Sequence, residues 1–157
     1  MVLPPVALNG PIITIRQFPT HPIEMEQLIA WGAVTKDAVE FLQKLVIAGY
    51  NIFISGGTGS GKTTFLNALS NYIPKQERII TIEDNAELQI RGVENLVRLE
   101  ARKGNTQGDH EITIRDLIRA NLRMRPDRVI VGEVRGEETI DMIQANNYTK
   151  FLHVFCV

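Results

Sequence analysis

The chain has 157 residues, enough for one domain with a real core, and it is 44% hydrophobic and 22% charged, an ordinary globular composition. A net charge of −1 gives no global argument for nucleic acid or an anionic membrane as partner. No apolar run reaches the roughly 18 residues of a spanning helix, no basic and apolar leader opens the chain, and the single Cys156 cannot form an internal disulfide, which fits a reducing compartment.

In chain order, Val2 to Leu8 and Ile12 to Phe18 read as two extended runs around Asn9-Gly10, a hairpin signal, with Pro4, Pro5 and Pro11 pushing the pair toward a sheet edge or a separate layer. A helix is expected from Ile23 to Trp31, stopped by Gly32. Thr35 caps a second helix that ends before Gly49 and buries Val39, Leu42, Leu45 and Val46. From Asn51 onward strands and helices alternate. Strands are expected at Asn51–Ser55, Arg78–Glu83, Asn95–Leu99 and Arg128–Val131, and helices at Gly61–Tyr72, Thr113–Met124 and Glu137–Asn146. Thr113 to Asp116 resembles a capping box with Asp in place of Glu, and Lys103 to Glu111 is a polar loop. Such alternation predicts an α/β fold with a mostly parallel sheet.

Gly56-Gly57-Thr58-Gly59-Ser60-Gly61-Lys62-Thr63 follows the first of these strands and opens the first of these helices. That is a phosphate-binding P-loop in the setting it requires. The glycines let backbone N–H groups curl around an anion, and the helix start aims its unpaired N–H groups at the same place. Lys62 is suited to place a charge between the terminal phosphates, and the Thr63 hydroxyl suits Mg²⁺, a hard cation that prefers oxygen.

Two apolar strands end in carboxylates. Arg78 to Asp84 closes on Glu83 and Asp84, which would face the P-loop because ligands bind at the carboxyl ends of strands in open α/β sheets. Glu83 is a candidate to orient or deprotonate water, or to hold Mg²⁺ through water. Arg125 to Glu133 looks like a Walker B strand, with Gly132 where an Asp commonly precedes the Glu, leaving Glu133 to polarise water or assist Mg²⁺. This strand is expected to lie beside the P-loop strand. Arg115, Arg119 and Arg123, four apart on a helix, either have acidic or phosphate partners or form a solvated face. Arg98 and Arg102 share one face and are either structural or aimed at a phosphate on a neighbouring subunit.

The P-loop string through Thr64, the segment Thr81-Ile-Glu-Asp-Asn-Ala-Glu-Leu88 and the segment Leu122 to Gly136 together resemble the type II/type IV secretion ATPases, closest to the Tad/Flp-pilus assembly ATPases. The resemblance runs from about residue 2 to about Gln144, and the opening runs around Arg16 are similar to that family's final N-domain hairpin. It implies a RecA-like P-loop NTPase core in residues 33–157, preceded by an N-terminal remnant and linker in residues 1–32. It implies ATP and Mg²⁺ as cofactors, with Gly56, Gly57, Thr58, Gly59, Ser60, Gly61, Lys62, Thr63 and Thr64 on the triphosphate. Glu83, Glu133 and Lys62 then carry catalysis, Thr63, Glu83 and Glu133 serve the metal, and Arg16, Arg98 and Arg102 help read the nucleotide. Members are cytoplasmic homohexamers, peripheral to the cytoplasmic membrane, that drive a secretion or pilus machine through a membrane platform protein; nucleic acid is not expected as a partner.

The departures are at the ends. Most of the family's N-domain would precede Met1, and Tyr148 to Val157 does not resemble the family's His box, so His153 is not taken as its histidine. The expectation is a C-terminally truncated ATPase core. The competing reading is a nucleotide-binding remnant with little hydrolysis, and a P-loop small-molecule kinase is weaker because no Arg-rich lid segment is visible.

Overall fold

The computed structural model describes residues 1–15, 21–104, 110–134, 136, 138–145 and 150–156, with backbone alone for residues 145 and 151–156. Its elements are α1 (Met25–Ala30), α2 (Lys36–Ala48), β1 (Ile52–Gly56), α3 (Lys62–Ser70), β2 (Ile79–Glu83), β3 (Leu96–Glu100), α4 (Ile114–Asn121), β4 (Arg128–Val134), α5 (Glu138–Ala145) and β5 (Lys150–Cys156).

Local chemistry sets the helix ends. The Thr35 hydroxyl accepts the Ala38 N–H at 3.3 Å to start α2, and Gly49, at φ 81°, ends it. The capping box at α4 forms as expected: Thr113 N–H donates to Asp116 at 3.0 Å and Asp116 N–H donates back to the Thr113 hydroxyl at 3.2 Å. The Thr113 hydroxyl, which donates to the Asp116 carboxylate at 2.7 Å, and the Thr113 N–H hold that carboxyl below the usual carboxylate range.

The five strands form one sheet in the order β1-β5-β4-β2-β3, and every pairing is parallel. All five residues of β2 are buried, the pattern of a strand covered on both faces. Ile79 and Ile130 pack on one face with Leu66 and Leu69 of α3, Val39 and Val46 of α2 and Leu28 of α1. Ile80, Ile82, Val129 and Val131 pack on the other with Ile118 of α4 and Met142 of α5. The result is the doubly covered α/β fold that the alternation predicts.

Three expectations need correction. The Walker B-like strand is not next to the P-loop strand, because β5 lies between β1 and β4. β5 itself comes from a segment to which the sequence assigned no strand. The opening hairpin is reduced to one antiparallel bridge, Val2 with Ile12, closed by two 2.8 Å bonds, while Leu3 to Ala7 forms a turn; residues 16–18 of its second run lie outside the described residues.

Candidate functional site: a P-loop cleft

β1 delivers the chain to the glycine-rich turn, and α3 carries it away. Gly59 and Gly61 sit at φ 77° and 88°, where a side chain strains the backbone. Gly61 is the residue just before α3, so the first N–H groups of the helix have no acceptor within it and point out of its N-terminus. The Lys62 ammonium folds back along the loop and donates to the Gly57 carbonyl at 2.7 Å. The loop is thus already wrapped, with its cation lying across its mouth.

The loop opens on a cleft of about 560 Å³. Thr58, Gly59 and Gly61 to Thr64 form one wall; Glu83, Asp84, Asn85 and Glu87 from the end of β2, with Gly132 and Glu133 of β4, form the other. The carboxyl ends of β2 and β4 therefore face the P-loop as the strand order requires.

A bulge aims Glu133. Against β5, Val131 pairs with His153 and Val134 with Phe155, so β4 spends three residues where β5 spends two. The inward face confirms the slip: Val129, Val131 and Val134 all pack toward α4 and α5, which regular alternation forbids. The extra residue falls at Gly132 and Glu133, and both line the cleft.

Glu83 is placed differently. It is 2% exposed, and one carboxylate oxygen accepts the N–H groups of Glu87 and Leu88, each at 2.7 Å. The other oxygen is 3.7 Å from the Arg98 guanidinium. Burial pushes the Glu83 carboxyl above its ordinary value, outweighing the two backbone bonds and Arg98, which pull it down. Glu87, which the sequence reading did not single out, is the carboxylate of this segment that stands half-buried on the cleft wall.

Residues 2–150 match the family model described as "Type II/IV secretion system protein". The chain belongs to the type II/IV secretion system protein family. A Mycobacterium tuberculosis protein named for conjugal transfer is 43% identical over 146 residues, covering 93% of this chain and 41% of that protein. The VirB11 ATPase of the Brucella suis type IV secretion system, solved with sulphate, superposes with a TM-score of 0.68 at 31% identity over 92% of this chain and 42% of that one. The pilus retraction motor PilT, solved with ADP, gives 0.68 at 27% identity over 90% of this chain and 39% of its own. The chain thus spans less than half the length of the relatives it matches. Its fold is that of these secretion ATPases, a RecA-like α/β core.

Arg98 and Arg102 are not among the described residues that line the cleft. Arg98 on β3 donates to the Leu88 carbonyl at 3.0 Å and faces Glu83. Arg102 bridges Ile112 and lines a second cleft of about 390 Å³ with Glu111, Thr113 and Arg115. Arg16 lies outside the described residues. Of the arginines spaced four apart, Arg115 and Arg119 lie on α4 and both bond Asp141 of α5, Arg119 at 3.3 Å, which favours the acidic-partner alternative for these two; Arg123 falls just beyond the helix end. No helix among the described residues is long and apolar enough to cross a membrane.

The sequence reading also missed Arg128. It has no exposed surface, donates from Nε to Glu77 at 3.0 Å and from Nη1 to the Val46 carbonyl at 2.9 Å, and so ties the start of β4 to the end of α2. Lys150 adds a second cation to Glu77 at 3.3 Å. No local signal marks this network, since Glu77 is 51 residues from Arg128 in sequence.

Proposed function

We propose that the chain binds ATP with Mg²⁺ in this cleft and is the ATPase core of a motor for secretion or pilus assembly. The observation that carries the reading is the cleft itself: the loop with Lys62 and Thr63 on one wall, Glu87 and Glu133 on the other. The donor set suits a metal-bound nucleotide. One hydroxyl and a few carboxylates beside a phosphate cradle match Mg²⁺, which takes few protein ligands and shares the rest with phosphate and water. When bound, the metal neutralises charge on the terminal phosphates.

The residues divide the work. Gly56 to Thr64 hold the phosphates through backbone N–H groups, and Lys62 moves from the Gly57 carbonyl to the terminal phosphates. The Thr63 hydroxyl would hold the metal. Glu133 and Glu87 orient the attacking water and accept its proton. Glu83 acts from beneath the wall, with Arg98 behind it. The only cations among the described cleft-lining residues are Lys62 and Lys103. Arg98 and Arg102 would therefore complete the charge through a different packing of domains or subunits, as in a homohexamer, where Arg16 would join them. That geometry also favours the second reading: the chain alone binds nucleotide and turns it over slowly. Residues 1–32 are the linker from an N-domain and residues 33–157 the core, the motifs fit the Tad/Flp-pilus branch, and the working place is the cytoplasmic face of a membrane platform protein.

Nucleotide affinity and phosphate release measured on one sample test the assignment. Glu133→Gln should keep affinity and cut turnover by about 10²–10⁴-fold, the range for lost acid–base help. Turnover equal to that of the unaltered chain would remove Glu133 from the mechanism.

A further inference from the structure

Glu83 is buried, ionisable and in an unusual position for a group that handles water. It ends β2 on the face that carries Ile79 and Thr81, under the turn that follows. Its oxygen at 2.7 Å from two successive amides, those of Glu87 and Leu88, makes it the point around which residues 84–88 fold. Leu88 is held at both polar groups, its N–H by Glu83 and its carbonyl by Arg98. Its side chain is 1% exposed in the core beneath α3. The next amide, Gln89, donates to the Asn67 side chain of α3 at 2.9 Å, which fastens the same segment to the P-loop helix. Three amides in a row are thus fixed by side chains from β2 and α3.

β4 is shaped to admit this carboxylate. A Cβ on Gly132 would stand 3.0 Å from Glu83 Cγ, closer than carbon atoms normally pack. The position that commonly carries an Asp is empty of side chain, and Glu83 fills the space.

We propose that Glu83 is a positioning residue, seated against Gly132, that folds residues 84–88 so that Asp84 and Glu87 reach the nucleotide cleft. This rests on the reading of the cleft as a nucleotide site. The device is a lever with two fixed ends: β2 and β4 fix Glu83, and Asn67 fixes the far end of the turn to the helix that Lys62 opens. Glu87 is then registered to the P-loop rather than left on a free turn.

The test is amide hydrogen exchange, read by mass spectrometry on the peptide covering residues 84–90, for the unaltered chain, Glu83→Ala, Glu83→Gln and Gly132→Ala. Losing the two bonds that hold these amides should speed exchange at Glu87 and Leu88 by about tenfold or more in Glu83→Ala. Peptides of β1, β2 and β4 serve as the control for folding and should stay protected. Glu83→Gln keeps a carbonyl acceptor and should restore most of the protection. Gly132→Ala should loosen the same peptide, and Gly132→Ala with Glu83→Ala should be no looser than Glu83→Ala alone. Phosphate release adds a functional arm: kcat should fall by about 10- to 10²-fold, as for a small misplacement, with less change in KM. Unchanged exchange at Glu87 and Leu88 in Glu83→Ala, or additive loosening in the double variant, overturns the proposal. The exchange arm needs no nucleotide, so it fails separately from the nucleotide assignment, which nucleotide affinity in Lys62→Ala decides.

Discussion

Arg128→Met should destabilise the fold severely although it lies far from the cleft. The guanidinium has no exposed surface, and its partner Glu77 has a side chain 13% exposed. Methionine has much of the length and none of the charge, so packing is largely kept and the loss is electrostatic. Truncating one partner of a buried pair costs about 3–5 kcal/mol, because a charge is left without compensation. Lys150, at 3.3 Å from Glu77 and itself 44% exposed, retains part of that compensation. The Val46 carbonyl loses its 2.9 Å donor, which adds about 1 kcal/mol. The balance is about 3 kcal/mol, or a fall in Tm of about 6–12 °C for a chain of this size. Urea and thermal unfolding followed by circular dichroism measure it. Adding Glu77→Gln should return at least about half of the loss, since the stranded charge is then gone. A loss under about 1 kcal/mol, or a double variant whose losses simply add, would refute the view that this pair pins β4 to α2.

Gly61→Ala should cost about 1–2 kcal/mol from its φ of 88° alone, since nothing lies within 4 Å of the added Cβ. Gly57→Ala, with open space and no left-handed φ, should stay within about 0.5 kcal/mol, and thermal unfolding compares the two. Glu83 predicts a sign in the pH dependence. Its folded-state value is raised, so the native state holds the proton more tightly than the unfolded chain. Its contribution to stability is full below the ordinary glutamate value and is lost as pH rises through the raised one. Unfolding free energies across that window should show the unaltered chain losing ground to Glu83→Gln as pH rises; a gain with rising pH contradicts the burial argument.

Much of the site is legible because its signal is local. The P-loop is one contiguous string whose strand, turn and helix are each encoded within a few residues, and Gly61 appears where the backbone needs it. The caps at Thr35 and Thr113 are equally local. What the sequence hides is what distant segments decide. β5 runs through Lys150 to Cys156, a short apolar run that could equally be surface or core, and its place between β1 and β4 follows from sheet assembly, not from any residue within it. The bulge at Gly132 and Glu133 appears only in the register against β5. Glu83 and Glu87 stand four residues apart, and their difference in exposure depends on the turn between them and on the space that Gly132 leaves. The grip of Arg128 on Glu77 and Val46 joins three segments that no period or motif connects.

The central claim is that the wrapped loop from Gly56 to Thr64 holds the phosphates of a Mg²⁺-bound nucleotide, with Lys62 as its cation. Isothermal calorimetry with ADP and with a slowly hydrolysed ATP analogue, each with Mg²⁺, tests it most directly on the unaltered chain and on Lys62→Ala. The account predicts saturable binding by the unaltered chain and a loss of at least about tenfold in Lys62→Ala, equal to 1.4 kcal/mol, for a charge-assisted contact to phosphate. The same affinity in both proteins, or no binding in either when both are folded, would contradict it.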